Sequence, residues 1–408
     1  MYVTRSLSYY KTSPEALYLP PEGPNSGYLV IQDEESERYT FFGLFKDRYL
    51  VGLPFPQNKI LTTRYSSGAG GQHHHQAGRQ HHQHTSFDEV VFIPVLNQPL
   101  SLNRYYAIKP HGSHEGEAFT CSKEEDMTQC CFSSCVNDVK PRPLDPHNIY
   151  QQFEIVRKET LFSSDGSFYA KSLADDGYPP YILRRKRWEI YGKTPKNYKL
   201  FEAKGINDSL RTRLPDLSFP PSTKSSNHVV VGKWYCPFVF IKEQQLSEQV
   251  KNSMYYEMTL EQKWEQVFEH EKEHNNEGNV VSVNVVVRNE AVFIGESQIE
   301  AAWDERNVVD GAIWFTCVGG NNGREESVGL NVAIVERMKW EEERVGWVGG
   351  GEQRIKRVKR EEKFEGVDGW NRFGCYVLVE RFVLKRMDGS LVLTYEFGHT
   401  HQIRSIFE

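Results

Sequence analysis

The densest patterning of apolar positions lies in residues 229–268, VVVGKWYCPFVFIKEQQLSEQVKNSMYYEMTLEQKWEQVF. Val229, Val230 and Val231, then Trp234, Tyr235, Phe238, Val239, Phe240 and Ile241, are β-branched or aromatic residues that suit a pleated surface and predict a strand pair. Pro237 has no amide proton and predicts a break or an edge within that run. Thr259 then reads as an N-cap with Gln262 closing a capping box, and Leu260, Trp264, Val267 and Phe268 follow at helical spacing. The pattern predicts an amphipathic helix over about 259–272, laid on the sheet that the preceding strands form.

Elsewhere strand signals dominate. GYLVIQ from Gly27 and a run at Tyr39–Phe45 predict a hairpin across the polar DEESER loop, and LPFPQNK at 53–59 reads as a Pro-bounded turn. VVFIPVL from Val90 and RYYAIK at 104–109 are further strands, whereas IYQQFEIVRKE from Ile149 fits a strand or a short helix. VVSVNVVVRNEAVFIG predicts a strand pair turning at Arg288, Asn289 and Glu290, and GAIWFTCV at 311–318 and VGLNVAIVERMKW at 328–340 predict two more strands. The charged run RIKRVKREEKFEG reads as a solvated connection. At the C-terminus, Asp388-Gly389 between two apolar runs predicts a type I′ hairpin. Its register sets Met387 against Ser390, Leu384 against Leu393, Phe382 against Tyr395 and Arg381 against Glu396.

So many strand signals, broken too often for regular βαβ units, predict a β-dominated α+β fold with antiparallel or mixed sheet layers and few covering helices. A loop-rich stretch ending in FPPSTKSSN places a division near residue 227. It separates a strand- and loop-rich region, 1–227, from a sheet-rich domain, 228–408, that holds the 259–272 helix and the terminal hairpin. At 408 residues the chain buries about three quarters of its unfolded surface without covalent staples.

Charge and composition narrow the classes. A net charge of −6 argues against a nucleic-acid coat or a general membrane-surface binder. No apolar run is long enough to span a bilayer as a helix, and the first residues hold no apolar core of a secretory signal. Seven cysteines, an odd number, fit a reducing compartment and a cytoplasmic location, with nuclear entry left open. Residues 66–86 form a low-complexity insertion carrying His73, His74, His75, His81, His82 and His84, expected to be an expanded loop.

Three features could carry chemistry. His270-Glu271-Lys272-Glu273-His274 matches H-E-x-x-H, which on a helix puts two zinc ligands on one face beside a glutamate that polarises water. A third ligand would have to come from Glu296, or from His399 and His401. Against a zinc hydrolase stand Asn275, Asn276 and Gly278, which end the helix immediately; His399 and His401 read as packing residues on the apolar side of the terminal strand. Cys121, Cys130, Cys131 and Cys135 lack the paired spacing of zinc knuckles, and RRKRW at 184–188 reads as surface charge. No G-x-S-x-G elbow, P-loop or dinucleotide fingerprint is present.

Taken together, MYVTR, PEGPNSGYLVIQDEE, LPFPQNK, NQPLSLNRYY, KSLADDGYPP, VVVGKWYCPFVFIKE, YYEMTLEQKWEQVF, VGLNVAIVERMKWEEERVGW and VLKRMDGSLVLTYEFGHTHQI resemble the plant-specific proteins grouped as domain of unknown function 1262, over essentially the whole chain. The resemblance implies a plant source and supplies no catalytic residue. The expectation is a non-enzymatic scaffold that binds a protein or a small molecule, with no cofactor, no catalytic or metal site, no specific nucleic-acid binding and no transmembrane segment. The competing expectation is a zinc-dependent hydrolase built on His270, Glu271 and His274.

Overall fold

The computed structural model of the chain describes all residues except 43, 67–84, 131–132, 161–162, 273–277, 296, 300–307, 319–324, 350–354 and 368. It divides into two units: residues 2–202 with 237–255, and residue 1 with 203–236 and 256–408. The fold is β-dominated α+β, with five α-helices among the described residues.

In the first unit, Tyr2–Ser6 (β1) pairs in parallel with Gly27–Ile31 (β2), and Leu7–Thr12 (α1) follows β1 directly. The expected hairpin between residues 27–32 and 39–45 does not form. Instead Arg38–Thr40 (β3) turns back on Phe45–Asp47 (β4), so the second half of that apolar run is a hairpin of its own. Tyr49–Leu50 (β5) leads to Ile60–Ser66 (β6), Thr85–Pro94 (β7) and Arg104–Ile108 (β8). Met127–Cys130 (β9) and Ser133–Val136 (β10) make a small hairpin. After a single 3-10 turn at Ile149–Gln151, Gln152–Thr160 (β11) and Ser163–Ser172 (β12) follow, so both alternatives for residues 149–159 are partly realised. Tyr181–Arg184 (α2) then precedes Trp188–Lys193 (β13).

These strands close a barrel. Antiparallel pairing runs β12–β11–β8–β7–β6–β13, and β13 returns to β12 through Ser167↔Glu189 and Phe168↔Trp188. Its interior is filled by side chains, as expected of a barrel this small: Phe55 lies 5.1–5.8 Å from the rings of Phe92, Tyr105 and Phe168, and Phe168 lies 5.5 Å from Trp188.

The second unit is built on long strands. Gly205–Ile206 (β14) and Val229–Pro237 (β15) begin it, separated by Asp208–Arg213 (α3). β15 ends at Pro237, where the sequence predicted a break. Between them in number, Ile241–Lys242 (β16) and Leu246–Asn252 (α4) belong to the first unit. Tyr255–Glu271 (β17) comes next, and here the predicted 259–272 helix is replaced by a 17-residue strand. The reason lies in the spacing: Leu260 and Trp264 stand four residues apart, a step that keeps one face in a helix and equally in a strand of period two. Thr259 and Gln262 cap nothing; they pair with Val383 and Glu380. A bulge between Gln266 and Phe268 shifts the phase, so Phe268 joins Val267 on the opposite face, packed with Phe373 and Cys375.

Val280–Arg288 (β18) and Glu290–Ile294 (β19) do not pair with each other as expected. Ser297–Ile299 (β20), Val308–Val309 (β21), Ala312–Val318 (β22) and Glu325–Asn331 (β23) follow. The strand expected through residue 340 stops at Asn331, whose side chain caps Val332–Glu343 (α5) by accepting from the Ala333 amide. Ile355–Lys363 (β24) occupies the run expected to be a solvated connection, and it pairs residue for residue with β18. Arg372–Lys385 (β25) and Leu391–Phe407 (β26) form the terminal hairpin.

Within this unit the main sheet runs β14–β15–β17–β25–β26–β19–β20. The predicted pairs Arg381↔Glu396, Phe382↔Tyr395 and Leu384↔Leu393 are all present. The turn differs. Only Gly389 has a positive φ (88°), its amide donates to the Arg386 carbonyl at 2.9 Å, and the register slips between Leu384 and Lys385. That is a type I turn with a glycine bulge, not a type I′ turn, which needs two left-handed residues. Both faces of β25 are covered. Phe373, Cys375, Val377 and Val379 pack against the β18–β24 ribbon, while Tyr376 and Leu378 pack with Trp264 against Leu214, Leu217 and Phe219.

Candidate functional site

Glu380 sits in the apolar run CYVLVERFVL, on the same face of β25 as Leu378 and Phe382. Its register partners are Gln262 on β17 and Phe397 on β26, and Leu378 pairs with His399, so His399 is diagonal to Glu380. Two helices complete the group. Asn207 caps α3, which contributes Arg211; α5 contributes Arg337, Glu341 and Glu342 near its C-terminal end. All seven side chains are buried.

Burying charge at this depth requires pairing and hydrogen bonding. The Arg211 guanidinium forks onto Glu380, donating from Nε to Oε1 at 3.0 Å and from Nη2 to Oε2. Nη2 also reaches Glu342 Oε1 at 3.3 Å, and Nη1 donates to the Glu341 carbonyl at 3.0 Å. His399 Nε2 lies 2.8 Å from Glu342 Oε2 and 3.5 Å from Glu380 Oε2. Gln262 Nε2 donates to Glu380 Oε1 at 2.6 Å and to the Arg211 carbonyl at 3.0 Å. One turn along α5, Arg337 Nη2 donates to Glu341 Oε1 at 2.5 Å. Three cationic side chains thus meet three carboxyls.

The environment separates the two carboxyls that share His399 and Arg211. Burial works against ionised Glu380, but bonds from His399 and Arg211 outweigh it and hold the carboxyl far below its usual range. Burial, reinforced by the charge of Glu380, pushes Glu342 up to about 8. For His399, burial disfavours the imidazolium, yet Glu342 and Glu380 overcome it and raise the pKa to about 9. His399 therefore carries its proton at neutral pH. Carboxyls pushed apart in this way also mark acid–base catalysis, but these are sealed on all sides and engaged by one another. The arrangement locks α3 and α5 onto the sheet.

Glu342, Glu380 and His399 also offer three ligand atoms within 4.8 Å of one another. Arg211 and the protonated imidazole already donate to those oxygens, so a divalent ion would have to displace one cation and deprotonate the other. The donor set fits an ion-pair network better than a metal centre.

Other sequence candidates scatter. His270 and Glu271 lie at the end of β17, where consecutive side chains face opposite ways; His270 is beside Phe268 and Trp370, and Glu271 pairs with Arg372. Glu273 and His274 lie outside the described residues, as does Glu296, but the helix that the H-E-x-x-H geometry requires is absent at 270–271. That removes the basis of the zinc-hydrolase alternative. His399 is buried as expected, whereas His401 is exposed, its Nε2 lying 3.2 Å from the Val345 carbonyl. Cys121 is buried, which pushes its thiol up to about 11, and Cys135 is exposed. Cys131 and the six loop histidines at 73–84 fall outside the described residues. In RRKRW, Arg184 pairs with Asp138 at 2.7 Å and Arg185 lies 3.5 Å over the Tyr181 ring. Sequence reasoning missed Arg211, Glu342 and Glu380; the available signal was a lone glutamate inside the apolar run of β25.

A second site is open to solvent. The β3–β4 hairpin carries YTFFGLF between Arg38 and Lys46. Phe42 is fully exposed, and Phe41, Leu44 and Phe45 are 73%, 78% and 62% exposed. At about 150–250 Å² per large aromatic side chain, these four present roughly 600 Å² of apolar surface, at the upper end of the largest patch that a monomer ordinarily shows. Phe41 and Phe42 both hold a positive φ, 50° and 56°. Left-handed backbone at two consecutive bulky residues costs about 1–3 kcal/mol each, a strain found where function requires a presentation.

Residues 22–132, which include this hairpin, match the family model described as "Protein of unknown function (DUF1262)". No curated protein matches the chain. Among solved structures, the crystal structure of Cry35Ab1 covers 86% of this chain and 90% of that chain at 10% identity, with a TM-score of 0.45, a likeness that carries no argument about function. The family reading made over the whole sequence is thus supported in one stretch: residues 22–132 match the model of the family of unknown function DUF1262.

Proposed function

We propose that the protein is a non-enzymatic binding protein whose contact surface is the tip of the β3–β4 hairpin. The observation that carries this reading is the exposure of Phe41, Phe42, Leu44 and Phe45 on one strained turn. Two further features support it. The Glu380 and Glu342 carboxyls are engaged by Arg211 and His399, and the barrel interior is occupied by aromatic side chains rather than open to a ligand.

The test is site-specific photo-crosslinking. A photoreactive phenylalanine analogue replaces Phe42 in the full chain, and another chain carries it at Leu391, an exposed apolar position of the second unit. Irradiation in cell extract containing its membranes is expected to give adducts from position 42 well above those from 391. Equal yields at the two positions would refute the hairpin as the contact surface.

A further inference from the structure

We infer that the occupant of the hairpin tip is the headgroup region of a lipid bilayer containing anionic lipid, an inference that rests on the tip being the contact surface. Shape is the first reason. β3 and β4 are three residues each and exposed almost throughout, so the tip is a convex finger. A protein partner would need a pocket matched to that finger, whereas a bilayer interface accepts an apolar projection of any shape.

Polarity ordered along the finger is the second reason. The seven residues Tyr39–Phe45 carry no charge, and they are bounded by Arg38 and Lys46, with Arg48 beyond. The register sets Thr40 against Phe45, Tyr39 against Lys46 and Arg38 against Asp47. At about 3.3 Å per residue, Arg38 lies some 7 Å below the last pair of the ribbon, so apolar rings at acyl depth would leave the cations among the phosphates. Tyr39 stands between the two levels, an amphipathic ring at the height where such rings prefer to lie.

Nearby acidic groups leave this pattern standing. Glu37 is nearly buried and engaged by Lys46 and by Lys59 at 3.6 Å, and Asp47 accepts from the Tyr49 amide at 2.9 Å. Glu34 and Glu35 are exposed ahead of the hairpin and restrict insertion to its tip. The net charge of −6 counts against adsorption of the whole molecule, but charges more than about 8–10 Å from the surface are screened at physiological salt, so the hairpin is governed by its own cations.

The full chain is tested by co-sedimentation with phosphatidylcholine vesicles and with phosphatidylcholine–phosphatidylserine vesicles. Binding to the mixed vesicles is expected, weaker binding to phosphatidylcholine alone, and a further loss as salt is raised. Phe41→Ser/Phe42→Ser should reduce partitioning at least about tenfold while leaving the melting temperature unchanged, because both side chains are exposed. Arg38→Glu/Arg48→Glu should abolish only the preference for phosphatidylserine. No sedimentation with either vesicle, or equal sedimentation of the double-serine variant, overturns the inference. Crosslinks from position 42 to proteins but not to lipid would also overturn it while leaving the hairpin as the contact surface; absence of position-specific crosslinks would sink both.

Discussion

Replacing Arg211 with methionine tests whether the buried group is a lock. Arg211 is 3% exposed, and its guanidinium makes the forked bond to Glu380, the 3.3 Å contact to Glu342 and the 3.0 Å bond to the Glu341 carbonyl. Methionine keeps the packing of the side-chain stem and removes the charge. Glu380 would then depend on Gln262 at 2.6 Å and the longer His399 contact at 3.5 Å. Removing one partner of a buried ion pair typically costs 3–5 kcal/mol, and with part of the network retained the expected loss is about 4 kcal/mol. Of the eight tryptophans, only Trp188 lies outside the sequence range of the second unit, so tryptophan fluorescence during urea unfolding reports chiefly on the unit in question. The midpoint should fall without a change of slope. Arg211→Met combined with Glu380→Leu should recover most of the loss, since an apolar pair replaces a severed ionic one. A loss under about 1 kcal/mol for the single variant would show that water reaches the carboxylates and that no lock exists.

The same group sets a pH dependence. His399 and Glu342 have folded pKa values raised to about 9 and about 8, so both bind protons more tightly when folded, and stability should fall as pH rises from about 5 to 9. For His399 alone, the rise from 6.5 to about 9 corresponds to about 3 kcal/mol. Glu380 is depressed and acts the other way, its contribution being lost as pH falls below the ordinary carboxyl range; urea midpoints across pH should therefore peak in mildly acid solution and flatten on the alkaline side in His399→Gln. His270→Ala should change stability by less than about 0.5 kcal/mol and leave the melting temperature unaffected by a chelator, whereas chelator-sensitive melting lost in the variant would revive a metal role. Gly389→Ala should cost about 1 kcal/mol through backbone strain alone, since φ is 88° and no atom lies within 4 Å of the added methyl; no loss would show that the turn can change type.

Local chemistry alone determined a good deal. The β-rich class, the end of β15 at Pro237 and the terminal hairpin's outer register follow from side-chain shape, a missing amide proton and period-two alternation, none of which needs a distant partner. Where a pattern was degenerate, tertiary context chose. Leu260 and Trp264 suit helix and strand alike, and fourteen residue pairs between β17 and β25 made them part of a strand. VAIVERMKW opens with residues that are apolar on both strand faces, and only a capping Asn331 and a surface able to receive Ile334 and Met338 made it a helix. β18 and β24 are separated by more than sixty residues, so neither announces its partner. The buried group is the extreme case: Arg211, Gln262, Glu342, Glu380 and His399 come from five elements, and a charged residue in a sequence reads as solvated until the fold surrounds it with opposite charge. By contrast, YTFFGLF was visible as an apolar run, but whether it faced a core or water was decided only when β2 paired with β1 and left the hairpin without a sheet to join.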